Sequence, residues 1–338
     1  MNSVFEQTAL PTPSAAKPDG PLRRFLATNR AAVGTLVVFI AMIAVFMIAS
    51  PDVFTSWAIY NSVLVTLPVA LCLAAPLVFV VTVGEIDLSF PATMGFSAWI
   101  FALLIQAGIN PLLAIAAALV TGTVLGLAVG ALVVHASLSS LIATLGMNYM
   151  VRGLILIITQ GKSIALLDLG DNPTAQLFVG EVLGVPVQML WALAFVTIAT
   201  LLYNFHRFGA RVHVVGDNPD SAEEMGINTR RVRVATFAFM GFGAALAGVF
   251  TTLVNFTWWP STGDGYLLPA IASVFVGGTP TWGGIGTIVG GSIGALTVAF
   301  IQTGIVAAGL SGFYVQFFNG LIIILALLGH RWNQKRYR

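Results

Sequence analysis

The chain has 338 residues, 57% hydrophobic and 8% charged, with a formal net charge of +2 and a mean hydropathy of +0.93. Soluble domains carry about 25% charged residues, so this composition excludes a soluble enzyme, a nucleic-acid binder and a disordered scaffold, and indicates an integral membrane protein. The one cysteine, Cys72, sits in an apolar run, which excludes disulfide frameworks and multi-cysteine metal sites.

Along the chain, a Pro/Ser-rich stretch (8–21) and Arg23, Arg24 and Arg30 precede the first apolar run, 31–49. At 1.5 Å per residue this run spans roughly 30 Å, one hydrocarbon core. No small-residue cleavage site follows, so it reads as an uncleaved first span behind a flexible cytoplasmic tail, 1–30. Further apolar runs follow at 57–83, 89–107, 111–134, 138–159, 187–205, 234–256, 266–276, 287–307 and 313–328, ten in all. The run 57–83 carries Pro68 and Pro76, and 266–276 is too short to span alone. Both read as broken or bent helices, which are tolerated where they line a cavity.

Ten crossings place both termini on one side. Under that count Lys17, Arg23, Arg24 and Arg30, the loop residues Arg207, Arg211, Arg230, Arg231 and Arg233, and the tail residues Arg331, Lys335, Arg336 and Arg338 share one face, 13 of the 15 basic residues. This face is predicted to be cytoplasmic. The 160–186 loop, with Asp168, Asp171 and Glu181 against Lys162 alone, is predicted outside. The domain plan is therefore the tail 1–30, a membrane domain 31–330 with a cytoplasmic loop 206–233, and a basic tail 331–338. Five spans in each half force opposite orientations, the arithmetic of an inverted repeat. Asp87-Leu-Ser-Phe-Pro-Ala and Asp264-Gly-Tyr-Leu-Leu-Pro-Ala open corresponding spans; Pro-Ala at helix starts is the plainer explanation of that echo.

Glu85, Asp87 and Ser89 interrupt an otherwise uncharged region. They read either as a pathway or gate element, or as a turn in which Asp87 or Ser89 caps the next helix. Arg152 lies inside an apolar run, at a cost of roughly 2.5–3.5 kcal/mol on insertion scales, so it needs an acidic partner or backbone carbonyls. Asn148 shares its helical face, and Glu85 or Asp87 is the expected acid. Glycines 286, 290 and 294 mark one face for close helix packing; the Gly-rich stretch lacks the Gly-Lys-Ser/Thr of a phosphate loop. Trp258 and Trp259, followed by Asp264, read as interfacial anchors or as indoles stacking on a sugar, which makes Trp259 and Asp264 candidate pathway residues. In the internal loop Asn218 caps a short helix opened by Pro219 and closed by Gly226. This segment reads as a docking element for a cytosolic partner, with Ser221, Glu223 and Glu224 polar, Ala222 and Met225 filling the partner's apolar floor, and Gly226 and Ile227 turning the chain back. His135, His206, His213 and His330 form no i, i+4 ligand pair, so no metal site is expected.

Four blocks in order, Gly84-Glu-Ile-Asp-Leu-Ser, Ala143-Thr-Leu-Gly-Met-Asn-Tyr-Met-Val-Arg-Gly153, Val215-Gly-Asp-Asn-Pro-Asp-Ser-Ala-Glu-Glu-Met-Gly-Ile227 and 270–286, resemble the permease subunit of bacterial ABC importers of the ribose/xylose/galactose class. Glu85 stands where that family has glycine. The resemblance implies an all-α, type II-like permease of about ten transmembrane helices in two inverted halves, embedded in the inner-membrane bilayer with no nucleic-acid partner. It further implies a second copy or a paralogue, a cytosolic ABC ATPase that binds the ATP, and a periplasmic sugar-binding protein. The permease itself then holds no cofactor and catalyses nothing. The alternative is an ion-coupled secondary transporter for a small polar solute, which also uses inverted repeats. A membrane enzyme lacks its Ser/His or acid/metal constellation here.

Overall fold

The prolines of the second apolar run do not break it. In the computed structural model, which describes residues 30–334 apart from 137 and 171, Trp57–Thr82 is one continuous 26-residue helix through Pro68 and Pro76. The break falls just beyond it, at Gly84. The expectations about 1–29, Asp171 and 335–338 lie outside the described residues.

The helices in chain order are α1 (Arg30–Ala49), α2 (Pro51–Phe54), α3 (Trp57–Thr82), α4 (Phe90–Gln106), α5 (Pro111–His135), α6 (Ser140–Thr159) and α7 (Pro173–Val179). They continue with α8 (Val187–Asn204), α9 (Arg207–Asp217), α10 (Pro219–Glu224), α11 (Thr229–Asn255), α12 (Leu267–Val276), α13 (Ile288–Ala307) and α14 (Phe313–Gln334). Among the described residues seven helices are long and apolar enough to cross a membrane, and three shorter apolar helices, Phe90–Gln106, Leu267–Val276 and Phe313–Leu328, complete the ten runs. The chain is a multi-pass, all-α membrane protein. Four two-residue strands add little: β1 (Ile164–Ala165) pairs antiparallel with β4 (Thr257–Trp258), tying the loop after α6 to the loop after α11. β2 (Glu181–Val182) and β3 (Val185–Pro186) form a hairpin.

Burial separates core helices from lipid-facing ones. The apolar stretch of α3 is 78% buried and that of α11 67%, against 11% for α1. Lipid competes with protein for apolar side chains, so contact at the core depends on how closely backbones approach. Gly122, Gly126 and Gly130 of α5 face Gly241, Phe237 and Val234 of α11, and an added Cβ at Gly122, Gly126 or Gly241 would collide with a carbonyl of the other helix. This crossing is a second four-residue glycine repeat, absent from the sequence reading. The predicted one divides: Gly290 and Gly294 on α13 back onto the end of α12, whereas Gly286 lies before α13 and abuts the side chains of Thr82 and Tyr203.

Two breaks shape the membrane interior, and both are made the same way. At the end of α3 the Gly84 amide bonds to the Val81 carbonyl and the Glu85 amide to Val80, with Gly84 at φ +89°. At the end of α12 the Gly278 amide bonds to Phe275 and the Thr279 amide to Val274, with Gly278 at φ +88°. Both are Schellman endings, in which glycine takes the left-handed position at no steric cost. The echo between Asp87 and Asp264 persists in the backbone, since Ser89 (φ −91°, ψ −15°) and Tyr266 (φ −86°, ψ −13°) open α4 and α12 with matching dihedrals.

The α5–α11 crossing yields a paired prediction. Gly126→Val drives two methyl groups into the Phe237 carbonyl and should cost about 1–3 kcal/mol, the range for overpacking, lowering Tm and folded yield in detergent. Gly146→Val, on α6 where an added Cβ meets nothing within 4 Å, should leave both unchanged. Thermal unfolding followed by size exclusion compares them.

Candidate functional site

Between Gly84 and Phe90 the chain runs non-helical alongside α6. Backbone groups there need partners, because hydrocarbon offers none. The partners come from one stripe of α6, spaced every four residues. Ser140 Oγ accepts the Ile86 amide at 3.2 Å, and Thr144 Oγ1 accepts the Leu88 amide at 2.9 Å. Asn148 Oδ1 accepts the Ala92 amide at 3.2 Å, and an Arg152 guanidinium N–H donates to the Pro91 carbonyl at 3.5 Å. The first step of the register follows from geometry: four helical residues rise about 6 Å, and the two extended residues from Ile86 to Leu88 advance about 6.6 Å, while Ala92 is reached in the first turn of α4. Asp87 closes the segment on itself, accepting from the Ser89 amide (2.7 Å) and hydroxyl (2.6 Å) while both residues stay buried.

Arg152 continues the stripe into the other half of the molecule. Its guanidinium donates to the carbonyls of Pro260 and Thr262 (3.1 Å for the latter) and pairs with Asp264 at 2.5 Å. The acid facing Arg152 is therefore Asp264, and neither Glu85 nor Asp87 is its partner. Asp87 is occupied by Ser89, and Glu85 pairs with Arg233 at 3.4 Å. The reason is reach. Glu85 leaves the end of α3, level with the start of α6, whereas Arg152 lies about 18 Å along α6 from Ser140. Of the two indoles, Trp258 is fully buried and donates its N–H to the Gly95 carbonyl at 3.0 Å, so it has no free face for a sugar. Trp259 is 42% exposed.

A cavity of about 1220 Å³ opens between the first half of α3, α12, the second half of α13 and the first half of α14. Asp52 and Asp264 stand on its wall, with Ser62 and Thr66 from α3, Gln302 and Thr303 from α13, and Gln316 and Asn319 from α14. Ala295, Val298 and Ala299 supply an apolar strip between them. Of the residues predicted to line a pathway, Asp264 alone is among those lining this cavity. Glu85, Asp87, Ser89, Asn148, Arg152 and Trp259 are not; all but Trp259 hold the extended segment and its neighbours in place. The lining residues were missed, although polar pairs at helical spacing inside apolar runs, Ser62/Thr66 and Gln316/Asn319, mark them.

At the opposite end three chain segments meet almost without side chains. The Gly284 amide donates to the Thr82 carbonyl at 2.8 Å, His213 bonds the Gly284 carbonyl at 3.0 Å, and the Thr82 and Tyr203 hydroxyls bond at 2.7 Å. Gly216 presses on the Thr82 carbonyl, and an added Cβ at Gly283 would lie 3.1 Å from the Gly84 Cα. His213 and Gly216 belong to α9, a helix within the segment that the sequence predicts as loop. The short helix beyond it is Pro219–Glu224, with Asn218 Oδ1 accepting the amides of Asp220 and Ser221 at 3.1 Å each. Ala222 is fully buried against the chain's own core, so it is closed to a partner. Glu223 already accepts the Thr229 hydroxyl at 2.6 Å. Ser221, Glu224 and Met225 stay exposed, Met225 at 63%. Gly226, at φ +77°, ends the helix with the Ile227 amide bonded back to Ala222.

Residues 59–327 match the family described as branched-chain amino acid transport system / permease component. The chain is 31% identical to the ribose import permease protein RbsC of Escherichia coli (strain K12) over 299 residues, 87% of this chain and 92% of the relative. It is 36% identical to the RbsC of Bacillus subtilis (strain 168) over 258 residues, 76% and 79% of the two chains. It is 30% identical to the L-arabinose ABC transporter permease protein AraH of Azospirillum brasilense over 307 residues, 90% and 89%.

The Arg152 contacts predict a specific coupling pattern. Arg152→Ala strands the Pro260 and Thr262 carbonyls, at about 1–3 kcal/mol per stranded group, while Asp264, whose side chain is 60% exposed, adds little; thermal stability and folded yield should fall. Asp264→Asn keeps a carbonyl acceptor and should cost less. In double-mutant cycles on thermal stability Arg152 should couple to Asp264 and not to Asp87. Coupling to Asp87 alone contradicts the assignment.

Proposed function

The chain belongs to the family described as branched-chain amino acid transport system / permease component, and from that premise we propose that it is the membrane-spanning subunit of an ATP-driven, binding-protein-dependent importer of a monosaccharide or related polyol. Relatives named as ribose and L-arabinose permeases support the sugar class. The observation that carries the reading is the cavity, whose wall of amides and hydroxyls suits a solute with many hydroxyl groups. At about 1220 Å³ it exceeds the roughly 300–1,000 Å³ of ordinary ligand pockets, so it takes a solute together with some of its water. Apart from Asp52 and Asp264, the polar side chains of the wall are neutral, and such groups hold a solute weakly enough to let it leave, as transport requires.

The permease performs no catalysis in this reading and binds no cofactor; the ATP is held by a cytosolic ABC ATPase. That ATPase docks on the exposed side of α10, at Ser221, Glu224 and Met225. The junction of Thr82–Gly84, Gly216 and Gly283–Gly284 passes its movement to both helix breaks at once. A short helix that is capped by Asn218 and anchored through Ala222 is stiff enough to transmit force. A second copy or paralogue closes the cavity on its open side, and a periplasmic sugar-binding protein delivers the solute from the outer face. The α9–α11 face, with Arg207, Arg211 and Arg230, and both termini then lie in the cytoplasm of a bacterial inner membrane.

Proteoliposomes test this with labelled pentoses and hexoses. Uptake should require the ATPase, ATP and a loaded binding protein. Met225→Cys gives an accessible thiol, since Cys72 is buried; an impermeant maleimide should label it from the cytoplasmic face alone, and bound ATPase should protect it. Uptake by the purified chain driven by a proton or sodium gradient contradicts the reading.

A further inference from the structure

We infer that Asn319 is the residue of the cavity that reads a hydroxyl group of the solute, so that the cavity selects a polyhydroxylated molecule without an anionic group by its hydroxyl pattern. The inference rests on the transport reading above and adds the contact that discriminates among its substrates.

Asn319 is 3% exposed, and its side-chain oxygen is buried with no hydrogen-bond partner. Five other side-chain atoms among the described residues share that condition, in Ser97, Gln188, Arg233, Thr252 and Thr279. None of those five residues lines the cavity, whereas Asn319 does. A buried, unpaired amide oxygen costs about 1–3 kcal/mol, and such groups in folded proteins ordinarily have a reason. Here a solute hydroxyl supplies the missing partner. An amide carries both a donor end and an acceptor end, and a hydroxyl both accepts and donates, so the two groups match in either orientation of the amide.

The surroundings narrow the ligand. No lysine or arginine is among the residues lining the cavity, and Arg152, which reaches Asp264 at its edge, is already shared among Asp264 and three carbonyls. A phosphate or carboxylate on the solute therefore finds no charged donor, the usual basis of anion recognition. Gln316 lies one turn from Asn319 on α14, and Gln302 comes from α13. A site built to bond a hydroxyl rejects the analogue lacking it far better than an apolar site discriminates by size.

The test measures import in proteoliposomes with the ATPase, at saturating loaded binding protein, so that the permease step sets the rate. The solutes are the transported sugar and its series of monodeoxy analogues. Asn319→Leu should slow import of the parent sugar roughly tenfold, the equivalent of one hydrogen bond. For one deoxy analogue, the one missing the hydroxyl that Asn319 reads, wild type and variant should import equally. Asn319→Gln should recover part of the loss. ATPase co-purification and elution volume report the fold, and both should match wild type. Import of the parent sugar by Asn319→Leu at the wild-type rate overturns the inference, as does an equal loss for every analogue, which marks a structural role. Failure of the wild-type protein to import any sugar with its ATPase is a different result and counts against the transport reading itself.

Discussion

A bilayer gives unpaired backbone groups nowhere to go, and this membrane protein carries an irregular segment, 85–89, alongside the apolar helix α6. The cost of leaving an amide unbonded in an apolar medium is several kcal/mol. Residues 85–89 escape it because α6 presents Ser140, Thr144, Asn148 and Arg152 in line, each bonded to a backbone group of 86–92. The side chains that look most like a solute pathway are thus engaged in holding the main chain. Arg152 extends the same service to Pro260 and Thr262, so one helix secures the irregular chain of both halves.

Once the breaks are fixed, the remaining architecture follows. α4 and α12 are short and each follows irregular chain, and beside α12 lies a polar opening that α3, α13 and α14 line with amides and hydroxyls. Glycines let the segments meet: Gly216, Gly283 and Gly284 bring three backbones together where a Cβ would press on a neighbouring main chain, while Gly84 supplies the left-handed turn, at φ +89°. The cavity and the junction lie at opposite ends of α3. A displacement of α9 therefore acts on the end of the helix that walls the cavity, which is the mechanical link an ATP-driven permease needs.

Much of this was legible in the chain. Ten apolar runs, the break near Gly84, the truncated run at 266–276 and the capped helix after Asn218 all follow from period, glycine and proline. Arg152 announced that it needed a partner, but the partner, Asp264, is 112 residues away, and spacing identifies only neighbours on the same helix. Its stripe was half seen, as Asn148 and Arg152; Ser140 and Thr144 continue it at the same interval but are ordinary residues in a membrane helix and stand out only beside an extended strand. Ala222 shows a second limit. On a helix of six residues the sequence does not say which side the rest of the chain covers, so a buried anchor looked like an exposed contact. Pro68 and Pro76 suggest a broken or bent α3; the helix is unbroken, and from Leu71 to Thr82 it is buried throughout.

The central claim is that the α6 stripe satisfies the main chain of 86–92. Hydrogen–deuterium exchange of the peptide covering 83–92, in protein reconstituted in nanodiscs, measures those amides directly. The wild-type amides of Ile86, Leu88 and Ala92 should be protected, and Thr144→Val should raise exchange at Leu88 while leaving Ala92 slow. Rapid exchange across the segment in the wild-type protein, or protection at Leu88 that survives Thr144→Val, contradicts the account.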